Sequence, residues 1–152
     1  MKKEEAQLLN ELNRAIIKFR GSYSAWSSKQ GFSYLELLIY YTIREYGYCT
    51  QKLICDSYLL PKQTINHVFS SLRDKGILVP NKDKSLGKEK AFSFSKDGEE
   101  RFASFSNKLD GSEQKAFEEV GLEKMSMLRD LFNEYDKALS KAFGDCEDGE
   151  NE

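Results

Sequence analysis

The chain is poor in the residues that build most catalytic and metal centres, with one histidine and three cysteines in 152 residues. His67 would have to carry any imidazole chemistry alone. No Ser-His-Asp order, HExxH pair or glycine-rich phosphate loop occurs, so the expectation is no catalytic residue, no metal ligand, no cofactor and no enzyme activity. Cys49, Cys55 and Cys146 have no metal-ligand spacing and leave one thiol over in any disulfide scheme, so reduced structural thiols are expected. Only two prolines and no low-complexity tract argue against a linker, and the length suits a single domain over 1–152. Nowhere do apolar residues run for the roughly 18 positions of a membrane span. The opening MKKEEAQLLNEL is amphipathic and acidic where a signal peptide would be apolar, so a soluble, cytoplasmic chain with no membrane partner is expected.

One further absence is local and more telling. The stretch from Thr50 to Leu78, TQKLICDSYLLPKQTINHVFSSLRDKGIL, reads as two short helices joined by a tight turn. Pro61 suits a helix's first turn, where its missing N–H would be unsatisfied anyway, and Gly76 marks the stop. Between them Ile65, Val68, Phe69 and Leu72 share one apolar stripe. Gln63, Asn66, His67 and Ser70 fall on the other face, with Lys62 at its flank, and no carboxylate occurs before Asp74. A solvated helix in a chain with 25 acidic residues usually shows acids in its first turns. A surface meant for phosphates and base edges excludes them. Lys62, Gln63, Thr64, Asn66, His67 and Ser70 are therefore candidate DNA contacts, with Thr50 and Gln51 at the entry to the motif's first helix.

A merely polar helix face is the competing reading, and the segment after Gly76 weighs against it. Ile77 to Pro80 reads as a short strand, Asn81 to Lys90 as a polar turn, and Ala91 to Ser95 (AFSFS) as a second strand. Helix, helix and hairpin over 33–95 make a winged helix, in a chain that is mainly α with a small β component. The tip holds Lys82, Lys84, Lys88 and Lys90 against Asp83 and Glu89, a density suited to a phosphate backbone or a minor groove. Residues 61–96 carry eight Lys or Arg against three acids, a net of +5. With -2 for the whole chain, everything else carries -7. One basic face on an acidic remainder is the asymmetry of a polyanion binder.

The flanks read as helices. Leu8, Leu9, Leu12, Ile16, Phe19 and Tyr23 follow a helical period from Glu4 to about Ser27, and Gly31 closes the region. Ser33 and Glu36 form a plausible capping box for a helix through Tyr46. After the hairpin, Ser95 could cap a helix from Lys96 through Leu109, and Ser112 another through Phe143. Phe117, Val120, Leu122, Met125, Leu128, Leu131, Phe132, Tyr135 and Leu139 give the last helix an apolar stripe too long for one winged helix to cover. Burial against a second copy is the natural solution, so 1–30 and 96–145 are expected to be dimerisation helices. The acidic tail GDCEDGENE is expected to fray.

This order resembles the MarR family of bacterial transcriptional regulators over nearly the whole chain. GFSYLELLIYYTIREYGYCTQKLI looks like that family's second helix entering its third, PKQTINHVFSSLRDKGIL is similar to its recognition helix, and GKEKAFSFSKDGEERF to its wing and the start of the next helix. The resemblance implies a homodimer held by the first, fifth and sixth helices, a recognition helix in each major groove, a wing at the minor groove, and a repressor's response to a small aromatic or lipophilic effector. The operator would be a pseudo-palindrome in double-stranded DNA. The chain departs from the family where Leu86, Gly87 and Lys88 replace an Asp-Arg pattern, Ser70 and Ser71 an Asp-Arg pair, and His67 a common arginine. Lys88 is the counterpart of the minor-groove arginine, without its planar fork.

Three other readings stay open. Tyr23, Trp26, Tyr34, Tyr40 and Tyr41, with Phe32, cluster near the junction of the dimer and DNA-binding parts and could line an effector pocket. Cys49 or Cys55 could make the protein a thiol-based redox sensor, although Cys55 falls at an apolar-facing position. A winged helix can also serve as a protein-interaction module.

Overall fold

The structure is a computed structural model that describes residues 1–148, with side chains to residue 144. Six helices and a three-stranded sheet succeed one another: α1 (Lys3–Lys29), α2 (Tyr34–Tyr46), β1 (Cys49–Thr50), α3 (Gln51–Tyr58), α4 (Lys62–Asp74), β2 (Leu78–Leu86), β3 (Glu89–Phe94), α5 (Lys96–Val120) and α6 (Leu122–Asp148). Packing divides them into a first unit, Met1–Phe105, and a second that begins at Ser106.

The local signals that start and stop helices act as expected. Ser33 Oγ accepts from the Glu36 N–H at 3.1 Å while the Ser33 N–H donates to the Glu36 carboxylate at 2.7 Å, the reciprocal pair of a capping box. Pro61 stands at the N-cap of α4, and Gly76 comes just after its last turn. Ser95 is used three ways at the junction of β3 and α5. Its hydroxyl donates to the Gly76 carbonyl at 2.6 Å and accepts from the Gly98 N–H at 3.0 Å, and its own N–H donates to the Ile77 carbonyl at 2.9 Å.

The hairpin is longer and its turn tighter than the sequence suggests. The strands run to Leu86 and start again at Glu89, so most of Asn81 to Lys90, expected as a turn, is extended, with paired positions at Asn81, Leu86 and Glu89 and an irregular stretch between Asn81 and Leu86. Polar side chains hold the irregular part. Asn81 Nδ2 donates to Ser93 Oγ at 2.9 Å, its Oδ1 accepts from the Lys84 N–H at 3.1 Å, and Ser85 Oγ donates to the Asn81 carbonyl at 2.7 Å where the register slips. Strand order is β1-β3-β2, all antiparallel, with Cys49 opposite Phe92 and Thr50 opposite Ala91. β2 is thus an edge strand, where Pro80 costs no ladder bond. The two-residue β1 has no signature in the sequence, because two residues carry no period.

Aromatic rings fill the first unit. Tyr40 stacks on Phe102 with centroids 5.5 Å apart, Phe94 on Phe102 at 4.6 Å, and Phe32 lies 4.4 Å from Phe105, which also meets Trp26 at 5.2 Å. Such tilted and offset contacts add to area burial. Leu37, Ile39, Ile54 and Ile65 complete this core with no exposed surface.

The break between the C-terminal helices comes later than the junction at 109–112 expected from the sequence. α5 continues through Gly111 and Ser112, whose hydroxyl donates back to the Lys108 carbonyl at 2.9 Å in mid-helix and caps nothing. The stop comes at Gly121, with φ +89°, whose N–H donates to the Phe117 carbonyl at 2.8 Å. A left-handed backbone there is open to glycine and costly to other residues. In the second unit, Phe117, Val120, Leu122, Leu128, Leu131 and Phe143 remain exposed. The helical backbone continues to Asp148; the remainder of the tail expected to fray lies outside the described residues. No described helix is long and apolar enough to cross a membrane.

Candidate nucleic-acid interface

The second helix of the helix-turn-helix, α4, is seated by its apolar stripe. Ile65, Phe69 and Leu72 are buried, and the Phe69 ring meets Phe92 of β3 edge-on at 5.6 Å. That seating turns Lys62, Gln63, Thr64, Asn66, His67 and Ser70 outward, and all six are exposed. The first turn of α4 holds no acid, so the partial positive charge of the helix N-terminus is uncompensated by carboxylates of that turn.

The entry residues differ from one another. Gln51 is half-buried. Thr50, expected at the interface, is only 4% exposed, and its hydroxyl is spent: it caps α3 by accepting from the Leu53 N–H at 3.0 Å and donates to the Glu89 carboxylate. Thr50 is thus a cap and a link to the wing, withdrawn from the groups free to meet DNA.

On the wing, Lys82, Lys84, Lys88 and Lys90 are all exposed, and the Lys84 ammonium lies 5.8 Å from the Tyr48 ring. Beside α4 and the wing opens a cleft of about 490 Å³, which the sequence did not announce. α3 lends it Gln51, Lys52, Cys55 and Asp56; Lys62 and Arg73 come from α4, and Lys88 to Lys90 with Phe92 from the wing. Lys52, Arg73 and Glu89 are the residues that sequence reasoning missed. Only the charge count over 61–96 hinted at Arg73, whose guanidinium lies 5.6 Å above the Phe92 ring.

The two described thiols sit differently. Cys49 is fully buried, and burial pushes its thiol up to about 12, which disfavours the reactive thiolate. Cys55 is half-buried at the wall of the cleft, more open than its apolar-facing position suggested. Cys146 lies beyond the described side chains. Among the described residues no group of three or more His, Cys, Asp or Glu could hold a metal ion.

The aromatic cluster is part core and part surface. Tyr40 is buried against Phe102 and Phe94, and Trp26 is half-buried and packs on Phe105. Tyr34 is half-buried with the Arg20 guanidinium 4.9 Å over its ring, and Tyr23 and Tyr41 are half-buried as well.

No protein-family model matches the sequence, and no curated protein does. Solved structures do match the fold. A MarR family regulator from Neisseria meningitidis superposes with a TM-score of 0.81 at 21% identity, covering 91% of this chain and 97% of that one. A MarR/EmrR family regulator from Acinetobacter sp. ADP1 gives 0.72 at 18% identity, over 92% and 99% of the two chains. NadR, solved in complex with 4-hydroxyphenylacetate, gives 0.64 at 16% identity, over 89% and 93%. Together with the seated α4 and the lysine-bearing hairpin, these superpositions show that the chain has the fold of the MarR family of transcriptional regulators.

Proposed function

We propose that the chain is a transcriptional regulator that binds double-stranded DNA as a homodimer, and that it acts as a repressor released by a small-molecule effector. One observation carries the DNA-binding part: a helix held by Ile65, Phe69 and Leu72 offers only cationic, amide and hydroxyl groups and an imidazole over Lys62–Ser70, beside a hairpin with four exposed lysines. Gln63 and Asn66 each offer a donor and an acceptor, the pair that adenine presents at its major-groove edge. The lysines meet phosphates and carry little sequence information of their own.

The exposed apolar residues of α6 support the dimer, since Leu131 at 56% and Phe143 at 62% exposure are costly to leave in water. Two recognition helices in such a dimer would lie roughly 34 Å apart and read a pseudo-palindrome with half-sites about 10 base pairs apart. The effector reading leans on the fold that this chain shares with NadR, which has been solved with 4-hydroxyphenylacetate.

Fluorescence anisotropy of a random duplex across a salt series, and then selection of a preferred duplex, tests the reading. Tight binding with a steep salt dependence and a selected site with a dyad are expected. Absence of salt-dependent binding would favour a winged helix that docks protein, and a selected site without a dyad would overturn the dimer.

A further inference from the structure

Glu89 is out of place on a hairpin built to meet a polyanion, a carboxylate between Lys88 and Lys90. Its contacts explain it. The carboxylate accepts from Thr50 Oγ1, the same oxygen accepts the Leu53 N–H at 3.0 Å, and Thr50 pairs with Ala91 across β1 and β3. An unbroken path of hydrogen bonds therefore ties the first residue of β3 to the N-terminus of α3, and the cleft opens beside it. Of its cations, Lys52 is paired with Asp56 and Arg73 lies over Phe92. Lys62, Lys88 and Lys90 have no ion-pair partner among the described residues. They converge on one concavity from the start of α4 and from the wing.

We propose that this cleft seats a backbone phosphate of DNA, and that Glu89 is a positioning residue which, through Thr50, holds Lys88 and Lys90 toward that phosphate. The proposal rests on the DNA-binding reading and names the group that its cleft receives. A phosphate fits because three unpaired ammonium groups around one concavity repel each other until an anion enters, and the backbone must pass between a recognition helix and its wing. Asp56 pairs with Lys52, and Glu89 keeps its charge while bonded to Thr50, so the cleft's five cations (Lys52, Lys62, Arg73, Lys88 and Lys90) still exceed its two carboxylates by three.

The sign of two substitutions separates positioning from charge. If Glu89 merely repels DNA, removing it tightens binding whatever replaces it. If it positions the wing, Glu89→Gln keeps an acceptor for Thr50, drops the charge and binds selected duplex as tightly as the unaltered protein or more so. Glu89→Ala frees the wing and binds about tenfold more weakly despite its extra net positive charge. Its salt slope flattens by up to about 4, the share of Lys88 and Lys90 in two subunits. Thermal melting of both variants checks that the fold persists, as it should for an exposed side chain.

The seat is read directly by replacing single phosphates of the selected duplex with neutral methylphosphonate. One position per half-site should cost the unaltered protein about tenfold and cost Lys62→Ala far less, because the two changes remove the same contact. Glu89→Ala binding as tightly as Glu89→Gln, or no phosphate coupled to Lys62, overturns the proposal while the DNA reading stands. No duplex binding by the unaltered protein overturns both.

Discussion

Gly98 shows how one position can be held by its neighbours rather than by its own conformation. A Cβ built there would lie 2.4 Å from the Ile77 carbonyl oxygen, which accepts the Ser95 N–H, and 3.2 Å from the Phe94 side chain, which stacks on Phe102. Alanine at this first-turn site gains at most about 1 kcal/mol of helix propensity, while a clash with backbone in a packed region costs about 1–3 kcal/mol. Gly98→Ala should therefore lower stability by about 1–2 kcal/mol, seen as a fall of several degrees in Tm by calorimetry; an unchanged or raised Tm would show that the β3–α5 junction yields. On the outward face of α4 the question is recognition. Gln63→Ala and Asn66→Ala should each cost about 1–3 kcal/mol on a selected duplex and little on random DNA. Equal losses on both duplexes, measured by anisotropy, would mean that these amides touch only the backbone.

At the scale of elements, periodic helices were legible and the hairpin was only half so. The stripe Ile65, Phe69, Leu72 announces α4 because a helix buries every third or fourth residue, and the structure buries those three. β2 passes through Asn81–Ser85, whose polar letters look like a loop, because side-chain bonds from Asn81 and Ser85 supply partners that a regular ladder would. The sequence places the end of one helix at Leu109 and the start of the next at Ser112, on either side of Gly111, yet the stop falls at Gly121. Gly111 lies in mid-helix and Gly121 takes the left-handed turn. The wing as an element should act through charge: Lys84, Lys88 and Lys90 changed together to alanine remove six potential phosphate contacts per dimer, so the slope of log affinity against log salt should flatten by up to about 5. Affinity should fall alike on selected and random DNA. A wild-type slope in the triple variant would leave the wing a solvated hairpin.

For the molecule as a whole, the question is what covers the apolar side chains of α6. Leu128 and Leu131 are 45% and 56% exposed in the single chain. Changing both to glutamate would bury unpaired charges in any seam they form, at a cost of several kcal/mol. Light scattering should then report a monomer, or the protein should become insoluble. An intact dimer would place the interface elsewhere, with α1 next in line through its exposed Leu8, Ile17 and Phe19.

By itself the sequence determined the succession of helices, the hairpin, the buried stripe of α4 and the basic segment from 61 to 96. These rest on local periodicity, capping chemistry and composition, which act between near neighbours in the chain. Tertiary structure alone decided that Thr50 is a cap bonded to Glu89, 39 residues away, that Tyr40 is buried in the aromatic core, and that Lys52, Lys62, Arg73 and Lys88 border one cleft. Contacts between residues so far apart depend on how helices and sheet pack, and no short pattern of letters encodes them.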